Sequence, residues 1–447
     1  MKLHLVIGGS LLFLAQMASC AGAPDPQAVG EVRAGKRTAA NAAWWGFDGQ
    51  DATESLQAAL NSGAKQLLIP YLAQPWIVRP LQLPSNQEIV FEPGVVLLAK
   101  RGEYQGKGDS VLTALNCSNL VVRGYGACVR MHKRDYQSAP YAKAEWRMGI
   151  ALRGCRHVVI EGLRVESTGG DGFYVDGGGE LDWSEDITLR NCTAEDNHRQ
   201  GLSVISAVNL LVENCRFSNT WGTAPEAGID LEPDTEKQRL VNCVIRDSVF
   251  ENNNGHQILV YLKPLTTNSE PVSIRFENCL ARMLPGERPA ARGPSNGLKG
   301  VAGIAVGAIR DNGPKGTIEF VHCVTENTSK EGVRIYDKSA GSARVRLVSC
   351  SVRDSWQSPE GAQETNRASI LLESRHAENS SRPGGIDFEG CRVYENANRP
   401  AVMFGASGAG AILRDVHGQI ESGAAGAPQL GERLEDVDLK VVGPASN

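Results

Sequence analysis

Asp230 and Glu232 stand two residues apart in PEAGIDLEPD, flanked by Glu226 and Asp234. Like charges packed this tightly on one strand repel, so the cluster is kept against a cost. A second acidic run, STGGDGFYVDG (167–177), carries Asp171, Tyr174 and Asp176. Between the two runs lies NHRQG, with His198 and Arg199, and beyond them come His256 and Lys263. Carboxyls with nearby bases suit three reactions on sugar polymers. In β-elimination from a uronate, a base takes the proton beside a carboxylate that a cation neutralises. Arg199, His256 and Lys263 are the candidate bases or clamps. Asp176, Asp230 and Glu232 are oxygen ligands of the kind Ca²⁺ takes, so calcium is a possible cofactor. In hydrolysis two carboxyls flank the bond, and roughly 6.5–9.5 Å between them fits inversion. In epimerisation an acid and a base work on opposite faces, and Tyr174 with His198 is such a pair. Each residue also has a structural alternative: Asp171 precedes a turn glycine, where Asp is common for conformational reasons. Asp176 alone reads equally as a solvated outer residue.

Placing these residues requires the elements that carry them. The segments VVIEGLRVES (158–167), ITLRNCTAED (187–196), LLVENCRFSN (210–219), VIRDSVFENN (244–253), IRFENCLARM (274–283), IEFVHCVTEN (318–327), VRLVSCSVRD (345–354) and IDFEGCRVYE (386–395) share one form. Apolar and polar residues alternate, a small or polar residue intervenes, Cys or an aliphatic follows, and alternation resumes. Period two is the strand signature, and a repeat every roughly 23 to 44 residues marks a stack of like units. A second short strand follows each turn, as in GGDG-FYVD, HRQG-LSVI, PEAG-IDLE, NGHQ-ILVY and SKEG-VRIY. Short strands joined by unequal loops predict coiled parallel strands, not hairpins. The fold class expected is all-β, a single right-handed parallel β-helix with an N-terminal capping helix. Phe173, Leu202, Ile229, Ile258 and Val333 form one inward column, and Val175, Val204, Leu231, Val260 and Ile335 another. By alternation Tyr174, Asp176, Asp230 and Glu232 face outward. Neighbouring turns are about 4.8 Å apart, which puts Asp176 roughly 10 Å from Glu232 and Asp230 roughly 6.6 Å from Glu232 along the backbone.

Cys192, Cys215, Cys279, Cys323, Cys350 and Cys391 fall on one repeat position, with Leu163 and Val249 as substitutes. A position taking Cys, Leu or Val is an inward apolar ladder, and no CxxC spacing suggests zinc. Two loops wall a groove: RMHKRDYQSAPYAKAEWRMG (130–149), with Trp146 and Arg147, and NTWGTAPEAG (219–228), with Trp221 and Glu226. Aromatic rings stack on sugars and basic residues hold acidic groups.

The chain has 447 residues and a formal net charge of −5, which argues against a nucleic-acid partner. Residues 1–20 read as an export signal: Lys2, then the apolar run Leu5 to Leu14, then Met17-Ala18-Ser19-Cys20. Small residues before Cys20 resemble a lipobox, so Cys20 is a candidate lipidation site and the membrane a partner only through that anchor. The alternative is cleavage after Ala21-Gly22-Ala23. The expected organisation is a flexible tether at 21–44, the coil at 45–410, and its C-terminal end at 411–447. Polar, unpatterned composition is what predicts the tether. At 48–63 the run DGQDATESLQAALNSG predicts the capping helix, with Leu56, Ala59 and Leu60 on its apolar face and Gly63 as its stop.

The helix pattern D-x-T-x-x-x-Q-x-A-L, the following LLIP strand and the coils together resemble the pectate-lyase-like β-helix proteins, over roughly residues 45–410. NHRQGLSVISAVNLLVEN (197–214) is similar to turns of bacterial mannuronan epimerases. The resemblance implies lyases, hydrolases or epimerases of acidic polysaccharides. The Asn-Thr-Asp, Asp-Asp, Gly-His-Gly and Arg-Ile-Lys set of polygalacturonases is not met; the nearest runs are Gly-Asp-Gly (170–172), Gly-His-Gln (255–257) and Arg-Ile-Tyr (334–336). The epimerases' Asp-Pro-His run is also missing. The reading is an exported enzyme on a uronate-containing polysaccharide, working as monomer or trimer, with a lyase ahead of a hydrolase or epimerase. A non-catalytic glycan-binding or surface structural β-helix is the reading from another class.

Overall fold

A computed structural model describes residues 24–284, 302–358, 367–376, 382–395, 399–406, 410–423 and 428–443. Each turn of the coil lays down a long strand, a short strand and a third strand. The first two belong to one parallel sheet and the third to another. In one turn these are Arg156–Glu161, Arg164–Glu166 and Phe173–Asp176. The third strands stack in register: Phe173 pairs with Leu202, Leu202 with Ile229, Ile229 with Ile258, Ile258 with Ile304, and Ile304 with Val333. The expected inward columns therefore hold, with one turn added. Ile304–Ile309 escapes the sequence pattern because a long insertion separates it from its strand partners.

Sequence explains the sharp corners. Asn191, Asn214, Asp247 and Asn278 all take φ near +50°, a region in which Asn and Asp are the favoured non-glycine residues. They stack as a side-chain ladder, with Asn214 Nδ2 donating to Asn191 Oδ1 at 2.6 Å. The residue after each corner points inward. Cys192, Cys215, Cys279, Cys323, Cys350 and Cys391 are all buried free thiols, and their Sγ groups meet backbone carbonyls, as Cys391 does at Leu347 O, 3.2 Å. Val249 is not in this ladder. Ser248 takes the position, donating to Arg246 O at 2.8 Å and accepting from Cys215 N at 3.1 Å, because a hydroxyl occupies a thiol's place and finds the same carbonyl. Behind the ladder, phenylalanines stack between turns: Phe217 on Phe250 at 5.3 Å and Phe276 on Phe320 at 5.1 Å. Each such buried side chain contributes about 1.5–3 kcal/mol.

The capping helix spans Thr53–Leu60 and buries Leu56, Ala59 and Leu60. Gly63, at φ +82°, turns the chain into the first long strands. The expected tether is corrected from residue 24 onward. Pro26–Arg33 is a helix whose first turn is capped by Asp25 Oδ1, which accepts from Ala28 N at 2.9 Å. Ala28, Val29 and Val32 are buried, and Ala39–Asn41 joins the parallel sheet. The stripe holds only three residues, too few to stand out as a period, yet it closes the open end of the coil. At the other end Leu413–Ser422 and Leu434–Val442 continue the sheet. No helix among the described residues is long and apolar enough to cross a membrane. The export segment and Cys20 lie outside the described residues.

Candidate active site

The outer face of the third-strand sheet carries the acidic residues. Register places Tyr174 beside Ser203, Ser203 beside Asp230, and Asp230 beside Leu259. Asp171 sits at the corner before Phe173–Asp176. The glycines ahead of it let a loop press on that corner: a Cβ on Gly170 would lie 2.7 Å from Glu145 O. The loop roofs a surface that alternation alone would leave wet.

Arg199 is the hub. Its guanidinium lies 3.7 Å from Asp171, 3.5 Å from Glu232 and 4.0 Å from Glu145. Asp171 is fully buried, and among the described residues neither carboxyl oxygen meets a donor in hydrogen-bond geometry, although Ser203 and the Gln200 backbone lie near enough to favour its charged form. Burial raises its pKa to about 7, against the opposing pull of Arg199. Asp230 is likewise buried. Its Oδ2 accepts from Gln200 Nε2 at 2.8 Å, while Gln200 Oε1 accepts from Ala227 N at 3.0 Å. That chain fixes the amide's orientation and leaves Asp230 Oδ1 with no donor in good geometry among the described residues, the Glu232 carboxyl lying close by. Burial, then the charge of Glu232, pushes the Asp230 carboxyl well above the usual range. Glu232 keeps 29% of its side chain exposed, while Asp171 beside the same guanidinium keeps none.

The other expected site residues are distributed differently. Asp176 faces outward but is walled in. It accepts from Tyr174 Oη at 2.9 Å, Gly177 N at 2.6 Å and Gln238 Nε2 at 3.0 Å, with Arg153 at 3.7 Å. It does not join Asp230 and Glu232 as one ligand set. Among the described residues the acids and imidazoles close enough to share an ion are Asp415, His417 and Asp436, on the last turns of the coil. Arg147 is a wholly buried strut, donating to Tyr104 O and Ala142 O, both at 2.9 Å. Glu226 locks its own loop by accepting from Gly222 N at 2.7 Å and Asn254 Nδ2 at 2.6 Å. Trp221 donates to Asp196 at 2.7 Å, and Lys133 Nζ covers its ring at 3.8 Å. These three are held by the protein's own groups rather than presented to a ligand.

His256 Nδ1 accepts from Ala302 N at 3.3 Å. Burial, then Arg334, pulls its pKa down to about 3. His198 falls to about 4 through burial, then Lys133, Arg147 and Lys143. Both are neutral imidazoles with little appetite for a proton. Lys263 is half-buried in the turn after Ile258–Tyr261 and has no partner among the described residues. Sequence reasoning missed Gln200 and Glu145. Gln200 neighbours Arg199 in HRQG, but strand alternation hides a corner residue. Glu145 acts across a loop and left no periodic signal.

His198, Trp146, Lys143, Glu145, Lys107, Gln137 and Thr223 line a pocket of about 380 Å³. Glu145 joins it to the Arg199 cluster.

The family model described as "Right handed beta helix region" matches residues 142–281. Two curated Bacillus subtilis (strain 168) proteins are similar. The SPbeta prophage-derived uncharacterized protein YorA is 26% identical over 214 residues, covering 44% of this chain and 35% of that protein. The uncharacterized protein YclG is 28% identical over 199 residues, covering 40% and 34%. The matched stretch is thus little more than a third of each relative. Among solved structures, the Azotobacter vinelandii mannuronan C-5 epimerase AlgE4 A-module aligns over 91% of this chain and all of its own (100%), with TM-score 0.59 and 15% identity. The Yersinia enterocolitica family 28 exopolygalacturonase aligns over 91% and 79%, with TM-score 0.62 and 12% identity. The Streptococcus pneumoniae surface protein and adhesin PfbA aligns over 91% and 99%, with TM-score 0.58 and 12% identity. At such identities the likeness is one of fold. The chain has the fold of a right-handed parallel β-helix.

Proposed function

We propose that this chain is a glycoside hydrolase that cleaves a polysaccharide by carboxyl acid catalysis at Asp230 and Glu232. The observation that carries this is the buried Asp230, held by Gln200 on one oxygen and beside the accessible Glu232 on the other. Two adjacent carboxyls do not both ionise readily, and burial with the Glu232 charge raises Asp230, which favours a proton kept on the pair. Glu232 delivers it to the glycosidic oxygen as the bond to the anomeric carbon breaks. Water attacks that carbon and its proton leaves to solvent. Arg199 then stabilises the ionised pair. While Asp171 is neutral it takes none of the guanidinium's charge. Once Asp171 ionises near pH 7 that support is shared.

A lyase needs a group with strong proton affinity, and the two histidines lack it. Arg199 is already ringed by acids. The carboxyl pair therefore favours hydrolysis over the β-elimination expected from sequence, for which Lys263 is the remaining candidate base. We place the enzyme outside the cytoplasm on the strength of its N-terminal apolar run. The test is to incubate the protein with polygalacturonate, alginate and neutral glycans, with and without Ca²⁺, following reducing ends and unsaturated-uronate absorbance. Reducing ends without absorbance support the reading. Absorbance rising alongside them overturns it in favour of a lyase. Binding without cleavage of any polymer overturns it in favour of a non-catalytic glycan binder.

A further inference from the structure

The pocket beside His198 is unusual in its charge. The protein carries a net −5, yet around this pocket cations prevail. Lys107 and Lys143 line it, and neither has an ion-pair partner among the described residues. Arg147 is buried behind it and is satisfied only by carbonyls and by the faces of Tyr136 and Tyr141. Glu145 is the one acid in the lining, and it lies towards Arg199. A buried cation without a carboxylate partner leaves positive potential that a bound anion can meet.

Two further features point to a ligand. His198 is 6% exposed, and its ring makes no hydrogen bond among the described residues although it lines the cavity. Its ring therefore presents its polar atoms to whatever fills the cavity, water or a ligand. Gly222 packs against the imidazole so closely that any side chain there would collide with the ring, which holds it in place. Trp146, 46% exposed, offers a large flat ring at the same opening. An exposed aromatic face, a neutral hydrogen-bonding ring and unpaired ammonium groups match the three parts of an acidic sugar: apolar ring face, hydroxyls and anion.

We propose that this pocket is a binding subsite for an anionic sugar unit of the polymer. Lys107 and Lys143 hold its charge, Trp146 stacks on its ring, and His198 bonds its hydroxyls. The proposal rests on the hydrolase reading and deepens it. Glu145 connects the subsite to the Arg199 cluster, so a unit held here lies next to the acid pair. The enzyme then selects its polymer by charge at a place separate from the bond-breaking carboxyls.

The test measures binding apart from turnover. Full-length protein carrying Glu232→Gln is titrated calorimetrically with a galacturonate hexamer, its carboxyl-reduced counterpart and a sulfated hexamer, at low and high salt. We expect one acidic hexamer to bind at least tenfold more tightly than the reduced one, with the preference shrinking in salt. Adding Lys107→Ala and Lys143→Ala removes that preference with an unchanged melting temperature. Trp146→Ala weakens acidic and neutral hexamers alike. Binding of the sulfated hexamer alone supports the subsite and assigns the anion as a sulfate ester. Equal binding of acidic and reduced hexamers, no binding of either acidic hexamer, or an unchanged preference in the lysine variant overturns it. If the protein binds acidic hexamers as described and the wild type cleaves no polymer, the subsite stands and the hydrolase reading fails.

Discussion

Asp171 makes the reasoning about burial measurable. Its carboxyl is fully buried, and burial outweighs the pull of Arg199, Ser203 and the Gln200 backbone to raise its pKa from 3.8 to about 7. A folded-state pKa above the unfolded one means that the folded protein binds the proton more tightly. The associated stability is fully present below about pH 4 and is lost as pH rises through about 7. Over three pKa units, at about 1.4 kcal/mol each, the total approaches about 4 kcal/mol. Most of it, about 2 to 3 kcal/mol, disappears between pH 5 and pH 8. Asp171→Asn keeps the shape and cannot ionise. Equilibrium urea unfolding at pH 5 and pH 8 should therefore show wild type losing about 2 to 3 kcal/mol more than the variant across this interval. At pH 8 the variant should be the more stable of the two. Parallel pH profiles in the two proteins would refute the argument, and would mean that Asp171 is hydrated or fully compensated by Arg199.

Three other outcomes follow from the same geometry. Glu232→Gln should lower kcat by about a hundredfold or more while oligosaccharide affinity is retained, read from reducing-end kinetics beside calorimetry. Gln200→Ala should free Asp230 Oδ2 and shift the pH optimum of kcat, where a purely structural role would lower the amount of folded enzyme without moving the profile. In the ladder, Cys215→Ser should cost within about 1 kcal/mol by urea unfolding because Ser248 already fills the same position one turn on, whereas Cys215→Asp should prevent folding by burying a charge.

What the sequence determined by itself was everything that repeats. Alternation assigned the inward columns through Phe173, Leu202 and Ile229 because a strand has only two faces, and a residue can occupy only one of them. The corner asparagines and the thiols after them were legible as a repeated pair, since each turn poses the same backbone problem. Asp230 and Glu232 were legible as outward neighbours for the same reason. Tertiary structure decided which of these acids are shielded from water and by what. Asp176 is claimed by Gln238, 62 residues away, and Asp171 is sealed by the loop bearing Glu145. Arg147, Glu226 and Trp221 have the right chemistry for a sugar, yet each is spent on the protein's own backbone or side-chain groups. The helix Pro26–Arg33 and the turn at Ile304–Ile309 escaped for a related reason, being a single short stripe and a strand cut off by a long insertion. Pattern is periodic and therefore readable. Burial of a polar group depends on one loop meeting one corner, a coincidence in space that no local spacing encodes.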